Sequence, residues 1–597
     1  MPLTNGGNKK TLDAIIFLVI VVVFTLNFHL NFWSVASPEW FQSYQRDSEA
    51  LVVGRLIATQ HDSPFSQNRN LGWWGSDEID NLFDYQYELY KSGLHAGDFS
   101  QLRYIHYTSQ MGLQGFMLGI ADKLLPVNNS HKLKLFQLLT SIALSAVFTV
   151  LILWFYKEFG VAAAIVAFVT TVMSQWLVVM GRNLYWQLWL MYLPLLAVLI
   201  FLYIERKTGR YYKRILLILI FFLIFLKCGS GYEFISTIMI SMVVPFVYYK
   251  FINSWSMKEF LKRVVAVGCS AVAGFATTLI VHAWQISASS RSLLYGFEQI
   301  WLNVLKRTHG NPELVPEVYH NSLRAPVFDV LKYYFNFKVL ASLTTKDLIF
   351  LFCLASILVF ISHEYSASIS RNRKKLIALV VTLWASILAP LSWLILAKGH
   401  SYIHVHINPV LWNIPFTILG FALTGSVLYL LASDLLKIKI VRKSIIWGFL
   451  ASSLAAIFVI IGLSIRSEIY MKNLLADTIQ VEHNEQFGKV FISLNENKLI
   501  YLPDKRANVT DRFFLHVYPS DGPEVLSQDR QEHGFDNLDF NFEEKKRSIF
   551  AKRTMAVIDL PTYAIGSIAT GQFNDEKRLW EVHFRLNGES IERLMNQ

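Results

Sequence analysis

Two carboxylates stand close together near the beginning of the chain. Asp47 and Glu49 lie in the string RDSEALVVGRLI and directly precede an apolar run at residues 50–58. A carboxylate held at the start of such a segment, at a membrane surface, could take the proton of an acceptor hydroxyl as a general base. The structural alternative is that Asp47 caps a helix N-terminus and Glu49 complements the helix dipole.

The run at residues 50–58 is expected to form an amphipathic helix. A membrane-surface helix places its apolar side chains toward the lipid and its polar side chains toward water. Because the carboxylates come first, this arrangement would hold them near the head group of a lipid-linked substrate. The apolar residues expected to meet the membrane are Leu51, Val52, Leu56 and Ile57.

A second polar group lies in the string MGRNLYWQ at residues 180–187, between two apolar runs. Arg182 suits bidentate recognition of a phosphate. Tyr185, taken alone, is typical of the aromatic residues found at membrane boundaries. We predict that Arg182, Asn183 and Tyr185 contact the phosphate or the sugar of a donor substrate.

A third group lies in LKCGSGYEF at residues 226–234, around a glycine-rich turn. Ionisable groups at the edge of a membrane are costly and often functional. Lys227, Tyr232 and Glu233 are therefore candidates for the same donor-binding site. The alternative is that Lys227 extends its amine to the interface and that Glu233 is simply solvated.

A fourth group is the histidine-rich string LAKGHSYIHVHINPVLW at residues 396–412. A zinc site is one interpretation, but the string has no His-Glu-x-x-His pattern and Pro409 disturbs helix geometry. The preferred interpretation is a phosphate- or sugar-binding loop in which Lys398, His400 and His404 donate hydrogen bonds. The remaining alternative is a set of interfacial histidines with no specific role.

A further loop, at residues 286–345, mixes basic and acidic side chains that could line an acceptor groove. No spacing within it is diagnostic of a particular chemistry. Its ionisable residues are Arg291, Lys306, Arg307, His309, Glu313, Glu317 and His320.

The composition places these groups in a membrane protein. Of the 597 residues, 53% are hydrophobic, and the mean hydropathy is +0.36, which is too apolar for a large soluble enzyme. The net charge of +11 is explained by basic loops beside apolar runs rather than by nucleic-acid binding. Three cysteines, all in or beside apolar segments, exclude a disulfide framework and a cysteine-based metal site.

Eleven spanning helices are predicted, because each crossing needs roughly 20 apolar residues. The first is expected to be a retained anchor, since it is long and lacks a cleavage site with small residues. A shorter stretch at 111–125 is predicted to be re-entrant or interfacial. The predicted spans are 12–32, 133–155, 160–180, 184–204, 212–228, 234–252, 263–285, 346–363, 375–397, 409–432 and 443–464.

Positive charge sets the predicted orientation. Starting with Lys9 and Lys10 inside, the inside loops carry clusters of Lys and Arg, and the short outside loops are much poorer in such residues. The N-terminus is therefore predicted to be cytoplasmic, in a multi-pass protein of the bacterial inner membrane. The segments left outside are 33–132, 181–187, 229–233, 286–345, 398–408 and the tail 465–597, so all four polar groups belong to the periplasmic face.

The tail differs in kind from the rest of the chain. Short alternating runs such as KVFISL, KLIYLP, RFFLHVYP and WEVHFRL are separated by Asn, Asp, Gly and Pro. This alternation predicts strands. Two domains are expected: a transmembrane domain at 1–464, with outer loops 33–132 and 286–345, and a β-rich periplasmic domain at 465–597.

The layout resembles the GT-C superfamily of integral-membrane glycosyltransferases. One helix is followed by a long outer loop that opens with RDSEALVVGRLI, then by about ten further helices and an outer domain. The chain is most similar to the protein mannosyltransferases and the lipid A aminoarabinose transferases, over residues 12–464 as architecture. The resemblance implies that the acid of the first loop acts on the acceptor, a role that passes to Asp47, with Glu49 as the second candidate.

Asp-Ser-Glu stands where related enzymes have Asp-x-Asp or adjacent Asp-Glu. No cofactor is therefore assigned, although a divalent metal is possible. The expected reaction is an inverting or retaining transfer of a sugar from a polyprenyl-phosphate carrier to a glycan or lipid acceptor. The alternatives are a periplasmic polysaccharide polymerase or ligase that uses pyrophosphate-linked oligosaccharides, and a lipid or solute transporter. Transport would favour paired repeats and polar groups at the bilayer midplane, and the sequence has no repeat.

Overall fold

The structure is a computed structural model that divides the chain into two units, Met1–Lys439 and Ile440–Gln597. It describes residues 6–36, 40–76, 79, 81–92, 99–288, 292–340, 343–362, 364, 366–405 and 407–435, together with eight strands of the tail. The predicted boundary at 464 and the predicted eleventh span, 443–464, lie outside the described residues.

The first unit is helical, and its helices are numbered here in chain order. They begin with α1 Gly6–Leu30, α2 Arg46–His61, α3 Leu82–Lys91, α4 Leu113–Leu124, α5 Asn129–Phe159, α6 Val161–Val172, α7 Gln175–Met180, α8 Leu188–Thr208, α9 Lys213–Ser230 and α10 Ile235–Ser241. They continue with α11 Val244–Ile252, α12 Met257–Ser287, α13 Leu293–Leu305, α14 His320–Arg324, α15 Val327–Asn336, α16 Thr345–Ile361, α17 Ala367–Ser386, α18 Leu388–Leu396, α19 Lys398–Ile403 and α20 Phe416–Leu435.

Six helices of the described chain are long and apolar enough to cross a membrane, so this unit is that of a helical membrane protein. They are Asn129–Phe159, Leu188–Thr208, Ile235–Ile252, Met257–Ser287, Ala367–Leu396 and Phe416–Asp434. Helices also cover the other predicted spans up to residue 432. The last of these starts later than predicted, at Phe416, because Pro409 and Pro415 disfavour helix before it and a 3₁₀ turn forms at Asn408–Asn413.

The outward surface of α12 shows why the helices suit a bilayer. Val265, Val272 and Ile280 are 58%, 57% and 56% exposed and repeat along one side of the helix. A soluble protein rarely exposes so continuous an apolar surface, whereas hydrocarbon accepts it at no cost. The helix satisfies its own backbone hydrogen bonds, which a membrane span requires.

The described part of residues 33–132, predicted as the first outer loop, folds as a compact layer around α2. Helix α2 packs against α3, α4 and the antiparallel pair β1 Leu71–Gly75 and β2 Arg103–Tyr107. The amphipathic prediction is wrong, because the apolar side chains of α2 are enclosed by these protein elements on every side. The residues predicted to meet the membrane, Leu51, Val52, Leu56 and Ile57, are at most 4% exposed.

Helix α2 and strand β1 approach each other at two glycines. A Cβ atom added at Gly54 would lie 2.1 Å from the carbonyl oxygen of Gly72. Backbone atoms cannot yield at such a distance, so only glycine fits. The close contact sets the position of α2, and with it the position of the two carboxylates at its N-terminal end.

A short antiparallel pair, β3 Lys338–Leu340 and β4 Leu343–Thr344, also lies in the first unit. The second unit is described as two four-stranded sheets. The strands are β5 Thr478–Asn484, β6 Gly488–Ser493, β7 Lys498–Pro503, β8 Arg512–Pro519, β9 Leu538–Phe540, β10 Ala556–Asp559, β11 Ile568–Asn574 and β12 Leu579–Leu586. The sheet orders are β10-β7-β6-β5 and β11-β12-β8-β9, with β12 and β8 parallel and the other pairs antiparallel. All four runs named in the sequence form strands. That residues 465–597 make a separate domain stays a prediction.

The Gly54 contact gives a stability prediction with a control in another helix. We expect Gly54→Ala to lower the apparent Tm of the purified protein in detergent, because overpacking of this kind costs about 1–3 kcal/mol. Gly268→Ala in α12 should leave the Tm unchanged or raise it slightly, since no atom lies within 4 Å of the added Cβ. Equal Tm values for the two variants would contradict the role of the glycine contact.

Candidate functional site

Glu49 is the centre of a buried hydrogen-bond network. The residue is 0% exposed. Its Oε2 accepts hydrogen bonds from Gln45 Nε2 at 2.9 Å, Tyr87 OH at 2.8 Å and Gln137 Nε2 at 2.9 Å. Its Oε1 accepts from the backbone N–H of Leu184 at 3.0 Å. Burial raises the pKa of Glu49 against the opposing effect of these hydrogen bonds.

Asp47 has the opposite environment, although it stands only two residues away. The residue is exposed and makes no hydrogen bond or ion pair with any residue that the structure describes. Asp47 does not form the expected helix cap, because α2 already begins at Arg46 and its N-cap residue is Gln45. The neighbouring cation, Arg46, pairs with Asp84 instead. Although the side chain is exposed, nearby protein atoms remove part of the water around the Asp47 carboxyl and so raise its pKa. A free carboxylate of increased basicity therefore stands at the start of α2.

The turn at residues 181–187 is bound to the helix turn that carries Asp47. Asn183 Oδ1 accepts hydrogen bonds from the backbone N–H groups of Tyr185 and Trp186, both at 2.9 Å. Asn183 Nδ2 and Trp186 Nε1 each donate to Ser48 Oγ at 3.1 Å. The predicted polar turn and the first-loop carboxylates therefore belong to one site.

Arg182 fixes the same turn from the other side. Its Nε donates to Gln45 Oε1 at 2.9 Å, and its Nη1 donates to the carbonyl of His29 at 2.7 Å. The guanidinium lies 4.2 Å from the ring centre of Phe41. These contacts connect the turn to the end of α1 and to the π-helical segment Phe41–Gln45 before α2.

A second buried carboxylate, Glu233, joins the next turn to two outer loops. Its Oε1 lies 3.3 Å from Tyr185 OH and 3.4 Å from Arg307 Nη1. Arg307 Nη2 also donates to Tyr107 OH at 3.0 Å. The amide of Gln110, oriented to suit its surroundings, donates to Glu233 Oε2 at 3.1 Å. Burial and then the Glu233 charge raise the pKa of Tyr185, so its hydroxyl stays a donor.

Gly231 leaves room for this second network. Its φ of +155° is a conformation that side chains rarely adopt. A Cβ atom there would lie 2.2 Å from the side-chain amide of Gln110 and 2.4 Å from Glu233 Oε2. The glycine-rich turn is therefore required by the packing around Glu233.

Lys227 and Tyr232 have protein partners other than the two carboxylates. Lys227 Nζ donates to the carbonyl of Gly231 at 2.6 Å and closes the end of α9. Tyr232 OH lies 3.1 Å from His282 Nδ1 on α12. Their predicted contact with a donor stays a prediction, and in this structure their polar atoms already have protein partners.

The histidine-rich string packs beside the same turn. The ring of His400 lies 6.2 Å from Phe234 and 4.4 Å from His404. Lys398 instead donates to the carbonyl of Leu323. His406 lies outside the described residues.

The backbone of this string is joined to the end of α13. His400 N donates to the carbonyl of Arg307 at 2.9 Å, and Gly399 N donates to that of Thr308 at 3.2 Å.

The residue before Arg307 is Lys306, whose amine lies 5.6 Å from the ring of Tyr319. Burial, with the adjacent Arg307 charge, lowers the pKa of Lys306 to about 8. No acidic side chain pairs with it within the described part of the chain.

The structure thus brings most of the predicted site residues into one continuous cluster. Direct contacts connect Ser48 and Glu49 with the 181–187 turn, that turn with Glu233, and Phe234 with both Trp186 and His400. Sequence reasoning missed the neutral partners that complete the two networks, because single Gln and Tyr residues in long loops carry no local signal. These are Gln45, Tyr87, Tyr107, Gln110 and Gln137.

Among the described residues, no group of three or more His, Cys, Asp or Glu side chains is placed to hold a metal ion. No family model matches the chain, and no curated protein matches it either.

The contrast between the two carboxylates predicts different effects on stability. Glu49→Ala should lower the apparent Tm strongly, because it leaves four donors, three of them buried, without this acceptor, and an unsatisfied buried donor costs about 1–3 kcal/mol. Asp47→Ala should change stability by no more than about 0.5 kcal/mol, as for an ordinary surface substitution. Thermal unfolding of both variants in one detergent measures the difference. A large loss in Asp47→Ala, or none in Glu49→Ala, would contradict the assignment.

Proposed function

We propose that the chain is a membrane glycosyltransferase of the GT-C type that moves a sugar from a polyprenyl phosphate to a glycan or lipid acceptor. The reaction takes place at the periplasmic face of the bacterial inner membrane. The observation that carries the proposal is the exposed Asp47 carboxylate, free of partners among the described residues, beside a buried Glu49 that fixes its backbone. A catalytic base must be accessible to substrate and held in place by groups that do not react.

Asp47 is the proposed general base. Its carboxylate takes the proton of an acceptor hydroxyl, whose oxygen forms a bond to the anomeric carbon of the donor sugar. The bond between that carbon and the phosphate oxygen breaks, and polyprenyl phosphate leaves with the electron pair. A pKa raised toward the working pH makes Asp47 a better base. Glu49 is a positioning residue in this scheme.

We assign the contact with the donor phosphate to Lys306. The sequence favours Arg182, Lys227 and Lys398, but these side chains donate to protein acceptors. Lys306 stands beside Arg307, whose guanidinium pairs with the buried Glu233, and has no acidic partner of its own among the described residues. Cations aimed at a leaving phosphate stabilise the charge that develops there.

Helix α13 supports the placement of a lipid-linked donor at Lys306. Leu294 and Trp301 are 67% and 60% exposed, and the helix ends one residue before Lys306. A short helix with an exposed apolar side is typical of one that lies in the membrane interface. The prenyl chain would rest against the apolar side, which brings its phosphate to Lys306. His400 and His404, beside the backbone of Arg307, are proposed to face the donor sugar.

We also propose the complete topology of eleven crossings, with residues 465–597 as a β-rich periplasmic domain. The distribution of basic residues supports the sidedness, and the strands β5 to β12 support the character of the tail. A polymerase or ligase and a transporter remain as alternatives, and the transfer assay below separates them.

The transfer assay tests Asp47 directly. Purified protein is incubated with a panel of polyprenyl-phosphate sugars and acceptor glycans, and product is measured by mass spectrometry. We expect Asp47→Asn to reduce kcat by about 10²- to 10⁴-fold, since it removes the general base. Asp62→Asn is the matched control, because Asp62 is an exposed carboxylate at the other end of α2.

Full activity of Asp47→Asn would refute the role of Asp47. Turnover only with pyrophosphate-linked oligosaccharides would favour the polymerase or ligase. Movement of a lipid or solute in liposomes without any transfer would favour the transporter and refute the proposed function.

Lys306 gives a pH prediction. Its amine is charged below a pKa of about 8 and neutral above it, so attraction to the donor phosphate is lost as pH rises. We expect kcat/KM for the donor to fall as pH rises through about 8 in wild type, and the fall to disappear in Lys306→Arg, which stays charged. Lys306→Gln should raise the donor KM about tenfold at pH 7.

Lys134→Gln is the control for Lys306, because Lys134 is an exposed amine on α5. An unchanged donor KM in Lys306→Gln, or the same pH profile in wild type and Lys306→Arg, would remove Lys306 from the donor site.

A further inference from the structure

An open cleft with an aromatic wall lies on α15, in the second outer loop. Its volume is about 360 Å³, within the range of small-ligand sites, and it is lined by Asp329, Lys332, Tyr333, Asn336 and Phe337. Here it is called the aromatic cleft.

The wall of the aromatic cleft is supported by rings from other parts of the chain. Tyr333 and Phe337 lie 5.4 Å apart. Phe337 lies 5.4 Å from Trp176, and Trp176 stacks on Trp40 at 4.8 Å. Because these rings pack on one another, the exposed faces are held rigid, and a ligand that covers them loses little conformational freedom of the protein.

The polar groups of the aromatic cleft carry both signs of charge. Asp329 and Lys332 are exposed and supply one carboxylate and one amine. Asn336 receives a hydrogen bond at its Oδ1 from Lys346 Nζ at 2.8 Å. The lining side chains themselves carry one charge of each sign, and such a mixture of acceptors and donors suits a ligand rich in hydroxyl groups, since a hydroxyl both donates and accepts. A phosphate would be repelled by the Asp329 carboxylate. A hydrocarbon chain would displace water from these polar groups without replacing its hydrogen bonds.

The aromatic cleft is connected with the segment that carries the proposed base. Trp40 and Tyr44 lie 5.8 Å apart at the start of that segment, and Tyr44 stands three residues before Asp47. Ser48 Oγ donates to the carbonyl of Tyr44 at 3.2 Å. Burial and then the nearby Tyr44 hydroxyl raise the pKa of Tyr333.

We propose that the aromatic cleft binds a neutral saccharide of the acceptor, with the apolar face of a sugar ring against Tyr333 and Phe337. The C–H groups of that face carry slight positive charge and meet the negative face of the aromatic rings. The hydroxyl groups at the ring edge reach Asp329, Lys332 and Asn336. This inference rests on the proposed function and narrows it, because it makes the acceptor a glycan.

The test is binding of oligosaccharides to the full chain in detergent, without a donor. The probes are malto-, cello- and chito-oligosaccharides of four to six sugars, and saturation-transfer NMR titrations give the Kd. We expect at least one probe to bind wild type, and Tyr333→Ala to raise its Kd about fivefold, the effect of one lost aromatic contact. Phe328→Ala is the matched control, because Phe328 is an exposed aromatic residue of the same helix that does not line the cleft.

Asp47→Asn should bind the same probe as wild type, since the base does not hold the saccharide. Binding without transfer would therefore support the cleft and refute the transferase. Transfer without binding of any probe, or equal losses in Tyr333→Ala and Phe328→Ala, would overturn the cleft and leave the transferase. Displacement of the probe by polyprenyl phosphate would make the cleft a donor site and would also overturn the inference.

Discussion

The buried carboxylate of Glu49 connects segments that are far apart in the sequence. It accepts hydrogen bonds from the segment before α2, from α3, from α5 and from the turn before α8. A charge without solvent must be matched by donors in fixed positions, because an unpaired carboxylate in the protein interior is very costly. The four donors therefore fix where α2 begins, and every other feature of the outer site is placed relative to that point.

The same demand repeats at Glu233. A turn with a glycine at positive φ brings this carboxylate to Tyr185 and Arg307, and Tyr185 belongs to the turn that Glu49 holds through Leu184. The two buried acids are thus coupled through one short turn. Networks of this kind are rigid when every member is satisfied. Asp47 and Lys306 stand next to members of these networks, and neither side chain is hydrogen-bonded to them.

The sequence predicts much of the fold but only part of the site. Long apolar runs predict where the helices lie, because each crossing must be long enough to span the membrane. The basic loops predict the orientation of the helices. Helix α2, which carries Asp47, is mistaken for a membrane-surface helix, since an amphipathic pattern does not tell whether lipid or protein covers the apolar side. The Asp-Ser-Glu spacing identifies the acidic pair, yet the opposite roles of Asp47 and Glu49 depend on Tyr87, Gln137 and Leu184, which no local pattern connects to them.

Local sequence patterns are equally limited in showing which cations are available to bind a ligand. A cation on a short turn between apolar runs, such as Arg182, is conspicuous in sequence. Such a residue also anchors the turn itself, and two of the three guanidinium nitrogens of Arg182 donate within the protein. Lys306 and Arg307 are inconspicuous because they lie in a long loop of mixed charge. What distinguishes them is position: they end an exposed apolar helix and join the backbone of the histidine-rich string. The proposed binding cation, Lys306, differs from Arg307 in having no acidic partner among the described residues, and no local sequence pattern reveals that difference.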